Sequence, residues 1–194
     1  MKTPFTLAIA LLTVAAAQDT GLYAPAPPAN SAFVRVLNTP AATVGTKAIT
    51  AEKGAASAYI VIPQGDVTAK LGTVSGKIKV EAGNFYSVFV QGGKLIALAD
   101  DGAENRAKAM LIIYNLSKTA SVDLKTADGK TTVITGVKPG TSGSRAVNGI
   151  TVTLAAFNGT KTLGALKEMK LERGNAYAIV VTDIGVTVTQ SSTK

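Results

Sequence analysis

The sequence contains no histidine, no cysteine and no tryptophan. Without His or Cys no side chain has an unperturbed pKa near neutrality, so Ser-His-Asp and Cys-His nucleophilic catalysis are excluded within this chain. Zinc fingers, Cys-ligated iron–sulfur centres and His-ligated haem are excluded with them. There is no thiol for a disulfide framework or a C-x-x-C motif, so stability must come from packed cores alone. Absent Trp, with five Tyr and five Phe in 194 residues, a typical carbohydrate-binding module is disfavoured. Phosphate loops of the G-x-G-x-x-G or G-x-x-x-x-G-K-[ST] type are missing too, and no cofactor is expected.

Acidic residues are in the minority, 12 against 20 Lys and Arg, a formal charge of +8. The N-terminus reads as an export signal. Lys2 is a short positive region, Leu7 to Val14 an apolar core broken only by Thr13, and Ala15-Ala16-Ala17 an A-x-A cleavage site before Gln18. That core is too short to span a bilayer, which takes about 20 residues. Residues 1–17 are therefore expected to be removed, leaving an exported, soluble chain of charge +7. The excess is dispersed: Gln18–Ala99 carries 7 basic and 4 acidic residues, Asp100–Lys194 carries 12 and 8. The nearest approach to a cluster is Lys167, Lys170 and Arg173, diluted by Glu168 and Glu172. Export argues against nucleic acid as a partner and for an anionic glycan or membrane surface.

Residues 18–30 hold three of the seven prolines without apolar periodicity and read as an extended lead-in. From Ser31 onward short β-type segments are divided by turn residues. Ala32–Leu37, Ala58–Ile62, Lys77–Val80, Phe85–Val90, Ala109–Tyr114, Ser121–Leu124, Thr131–Ile134, Thr151–Phe157, Ala176–Thr182 and Val186–Thr189 are expected strands. Asp128-Gly129, Pro139-Gly140, Asn148-Gly149 and Asn158-Gly159 supply turns, the Asn-Gly and Asp-Gly pairs favouring primed hairpins.

Three segments recur in the same order. Ala32–Asn38 matches Ala109–Asn115, Pro63-Gln64-Gly65 echoes Pro139-Gly140, and Glu81–Tyr86 matches Glu172–Tyr177. The expected architecture is all-β: two tandem immunoglobulin-like β-sandwich modules, 31–99 and 108–194, joined by a polar linker, 100–107. Tyr59, Phe85, Phe89, Tyr114, Phe157 and Tyr177 lie among apolar strand residues and read as core, while Tyr23 stands alone in the lead-in.

Candidate chemistry is sparse. Asp100, Asp101 and Glu104 could offer oxygens to Ca²⁺, but they lack the loop order of such sites, and a solvated linker is the favoured reading. No pair of carboxylates stands out for glycoside hydrolysis. Gly140–Ser144 fails the nucleophile-elbow pattern, and Ser191-Ser192-Thr193-Lys194 matches S-x-x-K only at the chain end. For contact with an anionic polymer, Arg35, Arg106, Lys108 and Arg145 are the candidates.

Gly21-Leu22-Tyr23-Ala24-Pro25 followed by Ser31–Asn38 resembles the start of the mature chain in the AlgF family of alginate O-acetylation proteins. Asn105–Ala109 with Asn115-Leu116-Ser117, then Leu124–Thr131 and Leu171–Gly174, extend the resemblance over nearly the whole mature chain. The resemblance implies a periplasmic accessory protein of exopolysaccharide acetylation. In that system a membrane acyltransferase passes acetyl groups to periplasmic acetyltransferases, which modify O-2 and O-3 of mannuronate. No established catalytic residues come with it, and similar proteins accompany cellulose acetylation. The linker departs from the family, where it is usually more aromatic and proline-containing ahead of the Asn-Arg pair. A periplasmic Ser-His-Asp acetyltransferase needs a histidine, so this chain is expected to be a non-catalytic partner of such enzymes. A polyuronate-binding module is the alternative, and a Ser or Tyr hydroxyl carrying acetyl with Lys as base is the remote third.

Overall fold

In the computed structural model, residues 26–101 and 106–192 are described, so the signal segment, most of the lead-in with Tyr23, and Glu104 lie outside the description. The described chain is all-β, without a helix. Its N-terminal half forms β1 (Ser31–Val36), β2 (Ala42–Val44), β3 (Lys47–Ile49), β4 (Ile60–Pro63), β5 (Gly65–Leu71), β6 (Val74–Val80), β7 (Phe85–Gln91) and β8 (Lys94–Asp100). The C-terminal half forms β9 (Ala109–Asn115), β10 (Val122–Thr126), β11 (Thr132–Val137), β12 (Ser142–Val147), β13 (Thr151–Val152), β14 (Leu154–Asn158), β15 (Lys161–Ala165), β16 (Met169–Lys170), β17 (Asn175–Thr182) and β18 (Gly185–Ser192).

No sheet mixes strands of the two halves. The first half has sheets ordered β4-β1-β7-β8 and β3-β2-β5-β6, the second β12-β9-β17-β18 and β11-β10-β14-β15, with β13-β16 as an added pair. Strand for strand the orders correspond, and so do the registers. β1 runs parallel to β7 with Val34 opposite Tyr86, as β9 runs parallel to β17 with Leu111 opposite Tyr177. Both tyrosines then do the same job: Tyr86 Oη accepts from the Glu81 N–H at 3.1 Å and Tyr177 Oη from the Glu172 N–H at 2.8 Å. Two of the three sequence matches therefore fall on equivalent strands. The third does not. Pro63–Gly65 joins the end of β4 to the start of β5, whereas Pro139-Gly140 precedes β12, the counterpart of β4. Two prolines beside glycines mark a turn without saying which turn.

Burial explains which strands the sequence shows plainly. β1, β7, β9 and β17 are inner strands covered on both faces, so they carry nearly unbroken apolar runs. β5 and β6 cover a core with one face and alternate buried with accessible residues. One core, including Val34, Val44, Leu71, Val80 and Val88, lies between the two sheets of the first half. A second, including Leu111, Leu124, Leu154 and Ile179, belongs to the second half. The opposite faces of β1, β7, β9 and β17 form a third: Leu37 and Phe89 meet Ile112, Tyr114, Ala178 and Val180. The halves are thus joined through apolar sheet faces rather than by the connecting segment alone. Phe89, Tyr114, Phe157 and Tyr177 are buried, and Tyr59 and Phe85 are half-buried, edge to face at 5.0 Å.

Close approach governs Gly143 on β12, where a Cβ would lie 2.8 Å from Ile134 Cγ2. Gly92 and Gly93, both at positive φ, turn the β7–β8 hairpin. Asn148-Gly149 makes no hairpin; Gly149 is held against the Leu171 carbonyl, 3.1 Å from where its Cβ would be.

Candidate functional site

Two places gather chemistry. The first is sealed between the halves. Strand alternation on β1 puts Ala32, Val34 and Val36 into the first core and Arg35 on the opposite face, toward the second half. Arg35 is 0% exposed. Its Nε donates to Ser87 Oγ at 2.7 Å, one terminal nitrogen to Ser191 Oγ at 3.2 Å and the other to Tyr114 Oη at 2.6 Å. The guanidinium lies 4.5 Å from the ring centre of Tyr59 and 5.4 Å from that of Tyr114. Its counter-ion is Asp100, 3.5 Å away with a side chain 1% exposed. The Asp100 carboxylate accepts from Tyr59 Oη at 2.7 Å, from Ser87 Oγ at 2.6 Å and from Tyr114 Oη. Arg35, Tyr59, Ser87 and Asp100 come from the first half, Tyr114 and Ser191 from the second.

This arrangement holds charge; it does not activate a nucleophile. Burial works against the Arg35 charge, but Tyr114, Tyr59 and Asp100 outweigh it and the pKa is raised. Burial likewise pushes the Tyr59 and Tyr114 phenols far up, so both stay protonated throughout the physiological range. The Ser87 hydroxyl is committed to the carboxylate while accepting from the guanidinium.

Two sequence expectations are corrected here. Arg35 is not at the surface, because alternation on an inner strand carries it into the junction, so a polymer does not reach it. Asp100 is not a solvated linker residue: it ends β8 opposite Phe85 and is the buried partner of Arg35. Asp101 is exposed and accepts from Ser144 Oγ, so Asp100 and Asp101 do not share a site. Among the described residues no three carboxylates gather to hold a metal ion. A basic residue flanked on its own face by Phe33 and Leu37 was the available signal for burial; its acidic partner, 65 positions on, had none.

The second place is an open groove of about 490 Å³ lined by Gly149, Ile150, Thr151, Lys170, Leu171, Glu172 and Arg173. The Leu171 N–H donates to the Ile150 carbonyl at 2.8 Å, extending the β13–β16 pair. Lys108 joins its rim, its Nζ donating to Asn148 Oδ1 at 2.5 Å and its carbonyl accepting from the Gly174 N–H. Arg106 is exposed with its carbonyl against Gly174. Arg145 stands apart on β12, donating to the Val133 carbonyl at 2.8 Å. Of the four predicted cations, only Arg106 and Lys108 come together, both with their carbonyls at Gly174, the residue that follows Arg173 of the groove lining.

The family model described as "Alginate O-acetyl transferase AlgF" matches residues 5–178. The chain belongs to the AlgF family. Relatives in the family named alginate biosynthesis protein AlgF include those of Pseudomonas aeruginosa, 36% identical over 92% of this chain and 86% of that protein, and of Pseudomonas fluorescens, 35% identical over 89% and 82%. The AlgF of Azotobacter vinelandii is 33% identical over 88% of this chain and 81% of its own. A solved structure of the C-terminal domain of AlgF from P. aeruginosa covers 43% of this chain and 96% of that domain at 35% identity, with a TM-score of 0.36. Neither gathering place of this AlgF-family chain holds a His or a Cys.

Proposed function

We propose that this chain is a non-catalytic adaptor for O-acetylation of an exopolysaccharide, most simply alginate. Membership of the AlgF family supports the role in alginate biosynthesis and O-acetylation. The observation that carries the non-catalytic part is the Arg35–Asp100–Tyr114–Ser87 cluster. Its hydroxyls and charges are buried between the two halves and hydrogen-bonded to one another, where no donor or polymer reaches them. In this reading each half is an immunoglobulin-like sandwich, a view supported by the tyrosine corners at Tyr86 and Tyr177. The export pattern of residues 1–17 supports a periplasmic location. There its surfaces hold membrane and periplasmic acetyltransferase subunits together at the inner membrane, or present the polymer to them.

Deleting the gene should leave the polymer exported but unacetylated, read as ester content per uronate; unchanged acetyl content overturns the role. Incubating the pure chain with an activated acetyl donor should give no stable adduct by intact mass, and an acetyl adduct on Ser or Tyr overturns the non-catalytic assignment. Direct polyuronate binding is the second reading, favoured by the cations around the groove. Calorimetry with oligomannuronate decides it, since such contacts strengthen as salt is lowered.

A further inference from the structure

The two halves repeat one topology, and that makes their differences informative. The turn before β7 and the turn before β17 are built alike. The Gly83 N–H donates to the Ser31 carbonyl and the Gly174 N–H to the Lys108 carbonyl, each at 2.8 Å. Lys79 pairs with Glu81 at 3.9 Å as Lys170 pairs with Glu172 at 3.8 Å. Upon this shared frame the second half departs in three places that meet at the groove. The counterpart of buried Ser31 is Lys108, and the counterpart of Ala82 is Arg173. Where β4 runs almost directly into β5, the second half inserts the β13 segment, which places Ile150, 50% exposed, in the groove wall. None of these is needed to build the fold, because the first half folds the same strands without them.

We propose that this groove docks an extended acidic segment of a partner protein, with an apolar side chain of that segment seated on Ile150 and its carboxylates facing Lys108, Lys170 and Arg173. The inference rests on the adaptor reading and names the surface it would use. An exposed apolar side chain in a wall shared with Lys170 and Arg173 is the pattern of a protein contact, where burial supplies affinity and charge supplies register. The groove has no aromatic wall on which a sugar ring could stack.

The test replaces Ile150 with the photo-crosslinking residue p-benzoylphenylalanine in the full exported chain, in cells making the polymer, with Ile184, 69% exposed at the β17–β18 turn, as the control position. Illumination should give a discrete protein adduct at position 150, absent at 184, whose crosslinked peptide from the partner is rich in Asp and Glu. Lys108→Glu/Arg173→Glu should lower the adduct yield at least tenfold, and Ile150→Asp should lower co-purification of the same partner if the charge reversal impairs folding. No protein adduct, or an equal yield from the reversed variant, overturns the proposal. If that variant still co-purifies with acetyltransferases and restores acetylation, the groove fails while the adaptor reading stands. Crosslinking to polymer alone, with groove resonances shifted by oligomannuronate, makes it a sugar subsite and likewise overturns the protein-docking proposal.

Discussion

Arg35 keeps its charge inside the molecule because each of its three nitrogens finds a hydrogen-bond acceptor and Asp100 balances the charge. Removing one partner leaves the other buried and unpaired, which typically costs about 3–5 kcal/mol. Asp100→Leu should lose stability on that scale in urea unfolding, whereas Arg35→Met/Asp100→Leu, which removes both charges, should be less damaging than Asp100→Leu alone. Tyr114→Phe, which deletes one hydroxyl from the network, should cost about 1–2 kcal/mol. The phenols set the alkaline limit. Tyr59 and Tyr114 have raised pKa values when folded and ionise near pH 10 when unfolded. Their contribution is present below about pH 10 and lost as the pH rises above it. Phenolate absorbance should therefore report these two of the five tyrosines only as the chain unfolds.

At the scale of elements, the β10–β11 hairpin depends on Asp123. Its Oδ1 accepts from Thr135 Oγ1 and from the Gly136 N–H, both at 2.9 Å, and Lys125 lies 3.4 Å from Oδ2. Desolvation works to raise its pKa, but these hydrogen bonds and Lys125 prevail and the value is lowered. The resulting stability is present above about pH 4 and lost as the pH falls through the folded value. Asp123→Asn should cost up to about 1 kcal/mol at neutral pH and flatten the acid limb of stability against pH. Legibility also varies by element. β1, β9 and β17 stand out because two covered faces demand consecutive apolar residues. β2 and β3 have three residues each, too few to establish a period. β12 (SGSRAV) lacks the apolar signal because Gly143 is required by close packing against Ile134 and Val137.

For the whole molecule, the junction decides whether the halves act together. Phe89, 0% exposed, packs against residues of both halves. Phe89→Ala should cost about 3–5 kcal/mol and resolve a single thermal transition into two in calorimetry; one undivided transition with a small loss would show that the halves do not depend on this contact. A rigid pairing suits an adaptor, since surfaces on both halves then keep a fixed spacing.

Composition, by itself, determined the exclusions: with no His or Cys, no arrangement in space could create the chemistry those residues supply. Short β-branched and aromatic runs divided by turn residues likewise determined an all-β chain, because both signals are local. The partners of Arg35 are 52, 65, 79 and 156 positions away, and no local pattern encodes such distances. Only the tertiary structure turned Arg35 and Asp100 from surface charges into a buried pair, and only it drew Lys108 and Arg173 to one groove. Burial and proximity are set by how sheets pack, and packing is the sum of contacts remote in sequence.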